Sequence, residues 1–177
     1  MVLRSTLRQS IQPPREADFH FLSCWQPSPG CEEQFLARLT WLSSKQGLNL
    51  QNIGSRTWAR LVETGRIKGL LDWLTLDQAE LANIAGFGDR SSKRLLESLH
   101  SARQQPFPRW LKALGIPPSG SADLSGPWQA LAMKSSLDWQ NEAGIGAERA
   151  AQLVAFFRAP EVLALQGALN SAGIEGF

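Results

Sequence analysis

Ile84-Ala85-Gly86-Phe87-Gly88-Asp89-Arg90-Ser91-Ser92-Lys93-Arg94-Leu95-Leu96 is the stretch on which the reading of the whole chain depends. Two glycines straddle a phenylalanine, and a basic run follows. Glycine reaches positive φ without steric cost, so Gly86 and Gly88 are expected to reverse the chain between a short helix ending near Ile84 and a longer one beginning near Asp89. The first amides of that second helix then lack carbonyl partners. Bare N–H groups at the positive end of the helix dipole favour a phosphate or carboxylate, and Arg90, Lys93 and Arg94 add charge along one turn. Phe87 is expected to point inward as an anchor. A helix, a glycine turn and a helix also build many small α-domains, and a single Gly-x-Gly is weak evidence by itself.

Recurrence strengthens it. Asn52-Ile53-Gly54-Ser55-Arg56-Thr57-Trp58-Ala59-Arg60-Leu61 reads as a first copy and Gly144-Ile145-Gly146-Ala147-Glu148-Arg149-Ala150-Ala151-Gln152-Leu153 as a last one. Between them Leu114-Gly115-Ile116-Pro117-Pro118-Ser119-Gly120-Ser121-Ala122-Asp123-Leu124 reads as a third, damaged copy. The second glycines, Gly54, Gly88, Gly120 and Gly146, are spaced by 34, 32 and 26 residues, which suits one helix pair per repeat. Asn52 replaces the first glycine of the first copy, and asparagine tolerates the left-handed region better than most residues. In the third copy Pro118 takes that place; proline fixes φ and removes a donor, so little phosphate contact is expected there.

The four repeats resemble helix-hairpin-helix motifs, and their order after a cysteine-bearing segment resembles the carboxy-terminal half of bacterial NAD-dependent DNA ligases. The shorter variant without a terminal BRCT domain, DNA ligase B, is the nearest in pattern. The string from Phe35 through Val62, Leu114-Gly115-Ile116 and Gly144-Ile145-Gly146 carry the resemblance over about residues 19 to 177. It implies an all-α fold of tandem hairpins that binds duplex or nicked DNA without sequence specificity, as the non-catalytic part of an enzyme that seals nicks in repair or replication. Nucleotidyltransferase and OB-fold domains using NAD and magnesium would then precede this chain, which would be a fragment or a reading frame begun late.

Composition sets wider bounds. A chain of 177 residues, 43% hydrophobic, can bury a core and form one or two domains. The net charge of +2 is uninformative, but its distribution is not. Residues 45 to 109 hold ten Lys or Arg against six Asp or Glu, a net of +4, whereas residues 110 to 177 hold four against six, a net of −2. Any nucleic-acid contact should therefore be dominated by the middle of the chain. No run approaches ~18 apolar residues and no signal core opens the chain, so a soluble, cytoplasmic protein is expected; the resemblance implies a bacterial one, and a monomer is expected.

Three segments follow: 1–32, a flexible lead with the remnant of a zinc-finger-like element; 33–105, a first hairpin pair; and 106–177, a second. His20, Cys24 and Cys31 invite a metal reading, but structural zinc wants four ligands, typically in two close pairs. The resembling ligases carry a four-cysteine finger at this place, of which Cys24 and Cys31 match at most half. No bound zinc is expected, and two cysteines form no disulfide framework; two thiols in an apolar cluster with Phe19, Phe21, Leu22 and Trp25 is the simpler reading.

Periodicity places helices over 33–46 with Gly47 as C′ residue, over 55–63 with Ser55 as cap, over 67–74, and from a capping box at Thr75-Leu76-Asp77-Gln78 to the central turn. Pro106 and Pro108 mark a boundary; helices then follow over 110–114, 128–133, 137–141, 147–157 and 161–172, with Pro160 in the first turn of the last and Gly173 at its end. Most of the seven tryptophans are assigned to the core.

None of the lysines at 45, 68, 93, 112 and 134 opens the Lys-x-Asp-Gly motif on which the resembling ligases carry adenylate, and the two histidines join no catalytic set, so the chain alone is expected to be inactive. The candidate DNA contacts are the backbone at Gly54, Ser55, Gly88, Asp89, Gly146 and Ala147, turns shaped by Gly86 and Gly144, and charge from Arg56, Arg60, Arg90, Lys93, Arg94 and Arg149. Such contacts position a protein on DNA without reading bases. Asp89 and Glu148 oppose an anion at two of the helix starts. A free-standing DNA-binding adaptor and a helical protein-interaction module remain alternatives.

Overall fold

The computed structural model describes Trp25, Pro27 and residues 30–84, 86–142 and 144–177. His20 and Cys24, on which the metal reading rested, lie outside them with Phe19, Phe21 and Leu22. Among the described residues the chain is all-α: nine α-helices, two short 3₁₀ segments and no strand. The helices are α1 (Glu32–Ser43), α2 (Ser55–Glu63), α3 (Gln78–Ala82), α4 (Asp89–Ser101), α5 (Phe107–Ala113), α6 (Trp128–Ala132), α7 (Ser136–Gln140), α8 (Ala147–Arg158) and α9 (Pro160–Ser171). None is long and apolar enough to cross a membrane. The described chain divides into two compact units, with the boundary along the chain between Gln105 and Pro106.

In the first unit α1 packs on α2 and α3 on α4. Phe35, Leu39 and Leu42 of α1 are fully buried at helical spacing, as their periodicity requires. Trp58 of α2 is fully buried as well; its Nε1 donates to Ser43 Oγ at 3.0 Å, and its ring meets Trp73 edge-on at 6.1 Å between centroids. Burying an aromatic of this size contributes apolar area that no single surface contact rivals, and the indole N–H is not left unpaired. Leu95 and Leu99 turn α4 inward, while Ser98 Oγ donates to the Gln51 carbonyl beside the first turn. Arg103 reaches back to the Leu74 carbonyl at 3.2 Å.

In the second unit α8 is central, touched by α6, α7 and α9. Trp128 sits against Phe157 and Phe177, with centroids at 4.8 and 5.8 Å, and Trp139 stacks on Phe157 at 5.9 Å. Five tryptophans, at 58, 73, 110, 128 and 139, are buried, as expected. The chain end is tied in by Trp128 N–H, which donates to the Gly176 carbonyl at 2.8 Å.

Several local expectations need correction. The helix expected over 67–74 is only a 3₁₀ turn at Asp72–Thr75, because the Asp72 carboxylate accepts from the amides of Lys68 and Gly69 and holds them outside a helix. α1 ends at Ser43, and Gly47 is not a C′ residue of positive φ; a Cβ there would overlap the Leu42 carbonyl, so packing rather than dihedral freedom demands glycine. Cys31 is disulfide-bonded rather than a free thiol. Gly120 is followed by chain without regular secondary structure up to Pro127, so the third repeat lacks its second helix altogether.

Candidate nucleic-acid interface

Three places repeat one geometry: a residue of positive φ, one intervening aliphatic or aromatic residue, and a glycine that caps a helix. The first positions are Asn52 (φ 59°), Gly86 (φ 89°) and Gly144 (φ 80°). Asparagine does stand in for glycine in the left-handed region. The second positions depart from expectation. Gly54, Gly88 and Gly146 have φ of −138°, −83° and −89° with extended ψ, a conformation open to any residue, so the reversal falls to the first position alone. A Cβ at any of the three would meet nothing within 4 Å.

The fold itself therefore gives no reason for glycine at these three helix starts. Ser, Asp or Asn would cap better. The same chain supplies such caps elsewhere. Asp77 Oδ1 accepts from the Glu80 amide at 2.8 Å while Glu80 Oε2 accepts from the Asp77 amide at 3.0 Å, closing a capping box two residues later than the Thr75-based one expected. Ser135 and Asp138 form the corresponding box at α7. Thus the entering helices α3 and α7 are capped by side chains, and the departing helices α4 and α8 are not. Ser55, expected as the cap of α2, is its first helical residue; Gly54 is the cap, without a side-chain bond.

Around these bare ends the candidate residues are exposed: Gly54, Ser55 and Arg56; Gly86, Gly88, Asp89, Arg90, Lys93 and Arg94; and Gly144, Gly146, Ala147 and Arg149. Burial of Ser92, Leu95 and Leu99 on one stripe of α4 is what turns Arg90, Lys93 and Arg94 outward. With Asp89, Gln78 and Glu97 they line a shallow depression beside the turn. Its two carboxylates lower the local positive potential without cancelling it.

Arg60 differs from the rest. Its guanidinium lies over the Phe87 ring, 4.7 Å from the centroid, and against Gly86, where a Cβ would overlap Nη2. Phe87 is thus half-buried beneath an arginine from the neighbouring hairpin, a less inward anchor than expected. The pairing joins residues 27 positions apart and had no signal in the sequence pattern. In the second unit Lys134 performs a related task, bonding Glu142 Oε1 at 2.6 Å and standing 4.5 Å from the Trp139 ring centre, just ahead of the Gly144 turn.

Two carboxylates have settled environments. Hydrogen bonds from the backbone and then the side chain of Ser135 hold the Asp138 carboxyl below its ordinary value, and the side chain and then the backbone of Ser125 do the same for Asp123. Among the described residues no cluster of His, Cys, Asp and Glu is arranged to hold a metal ion.

No family model matches the chain. Over its full 177 residues it is 64% identical to a DNA ligase B of Pseudomonas fluorescens (strain Pf0-1) and 42% identical to a DNA ligase B of Pseudomonas putida (strain W619). It spans about a third of each relative, 32% and 31% of their lengths. The likeness to DNA ligase B thus extends through the first eighteen residues, beyond the span that the hairpin motifs marked.

Proposed function

We propose that this chain binds duplex DNA without sequence specificity, through phosphate contacts at its glycine-capped helix ends, as the non-catalytic carboxy-terminal part of an NAD-dependent nick-sealing ligase. One observation carries the reading: Gly54, Gly88 and Gly146 cap helices where nothing in the fold needs glycine and a capping side chain would serve stability better. The missing side chain leaves the amides of Ser55, Asp89 and Ala147 and their successors open to an approaching phosphate oxygen. Arg56, Arg90, Lys93, Arg94 and Arg149 would neutralise the flanking phosphates, and the net positive charge of the middle segment makes the first unit the stronger contributor. NAD and magnesium would act on other domains, and no residue of this chain is assigned to them.

Fluorescence anisotropy of a labelled nicked duplex, titrated at several salt concentrations, tests this. Binding on the order of 10⁻⁴ to 10⁻⁶ M that weakens steeply with salt is expected, and Lys93→Ala should lower the slope of log affinity against log salt by about 0.9. Absence of binding at low salt would overturn the reading in favour of a helical scaffold or interaction module.

A further inference from the structure

Resting on the DNA-binding reading, we infer that Arg60 is a positioning residue that holds the Gly86-Phe87-Gly88 turn in the shape that presents the α4 amides, and is not itself a phosphate ligand. Arg60 lies in the last turn of α2, whereas the turn it touches belongs to the next hairpin. Its planar guanidinium lies over the Phe87 ring and along Gly86, where side-chain volume is excluded. Gly86 therefore has two reasons to be glycine: its φ of 89° and the arginine seated against it. The turn's other described anchors are hydrogen bonds at its two ends: Phe87 N–H donates to the Ile84 carbonyl at 3.1 Å, and the Gly88 carbonyl accepts from the Ser92 amide at 2.9 Å and from Ser91 Oγ at 3.1 Å. Those bonds fix the ends of the turn and leave Gly86 and the Phe87 ring to an outside brace. A guanidinium over an aromatic face supplies one, because it is weakly hydrated and stacks flat. Ser98, bonded to the Gln51 carbonyl, makes a second tie between the same two hairpins, so the first unit's turns are fixed to each other in both directions.

Two measurements on the full chain test this. Hydrogen exchange of the Phe87 amide in free protein should quicken about two- to fivefold in Arg60→Ala, the loosening that loss of one exposed cation–π contact permits. Duplex affinity of the same variant should fall by a similar factor while the salt slope stays at the wild-type value. The losses of Arg60→Ala and Phe87→Leu should overlap in the double variant, since both act through one turn. A slope lower by about 0.9 in Arg60→Ala, or losses that multiply, would make Arg60 a phosphate ligand and overturn the inference. Should the wild-type chain fail to bind the duplex, the DNA-binding reading falls; the exchange experiment then still decides Arg60, with faster Phe87 exchange supporting the brace and unchanged exchange refuting it.

Discussion

Gly120 and Gly144 stand back to back: a Cβ on Gly144 would lie 3.8 Å from the Gly120 Cα, so the loop of the broken third repeat buttresses the turn of the fourth. Gly120 holds a φ of 55°. A branched side chain there faces left-handed strain of about 1–2 kcal/mol, whereas Gly88 has extended dihedrals and open space for a Cβ. The two valine variants should therefore part company. Gly120→Val is expected to lower stability in urea denaturation with a modest effect on duplex affinity. Gly88→Val should lose only the roughly 1 kcal/mol by which glycine exceeds valine as a helix cap and bind several-fold more weakly. Equal losses of affinity in both folded variants would count against phosphate contact at Gly88.

Serine at the same position sharpens the contrast between stability and binding. Gly88→Ser places an oxygen where it can accept from the amides of Arg90 or Ser91, and serine exceeds glycine as a helix cap by a few tenths of a kcal/mol. Thermal unfolding should shift slightly upward. Duplex binding should weaken, because the capping oxygen occupies the donors that a phosphate would use. A variant that is both more stable and equally tight would show that those amides do not meet DNA.

The repeat architecture was legible because it rests on local rules. Left-handed Asn52, apolar stripes at helical spacing and proline in the first turn of α9 are dictated within a few residues. What escaped the sequence was set at longer range or by competing local bonds. Asp72 dissolves an apolar helix by capturing two amides, a competition that hydrophobic periodicity does not register. Gly88 was assigned to the turn on the strength of glycine's freedom at positive φ, yet its dihedrals are ordinary; only the structure separates a glycine needed by the fold from one the fold does not need. Arg60 had an exposed helical position and a basic neighbour at Arg56, which reads as a charged stripe until Phe87 is found beneath it. The Ser135-x-x-Asp138 box, by contrast, is a pattern that could have been read directly.

Ser92 offers a test of stability apart from binding. Its hydroxyl is buried in the first turns of α4 without a hydrogen-bond partner, although its amide bonds the Gly88 carbonyl at 2.9 Å. A buried hydroxyl with no partner costs about 1–3 kcal/mol in desolvation, and alanine removes that cost along with one small atom. Ser92→Ala should therefore gain about 1 kcal/mol in chemical denaturation. A loss of stability would mean that the hydroxyl has a partner, such as an ordered water, that the folded chain retains.

Acid should loosen the second unit through Asp138. Bonds from the Ser135 amide and hydroxyl hold its carboxyl below the ordinary value of 3.8, so the folded state favours the ionised form. The contribution to stability is fully present above the unfolded-state value and disappears as pH falls through the depressed folded value, when the proton removes an acceptor from the α7 capping box. Asp138→Asn lacks this titration. Its deficit relative to wild type should be constant from neutral pH down to about 5 and then shrink as the wild type is protonated, a trend that urea midpoints across the acid range would reveal. Asp123, held low by Ser125 in the same unit, titrates in both proteins and drops out of the difference. A deficit that stayed constant to the lowest pH would show that the box depends on the shape of the side chain and not on its charge.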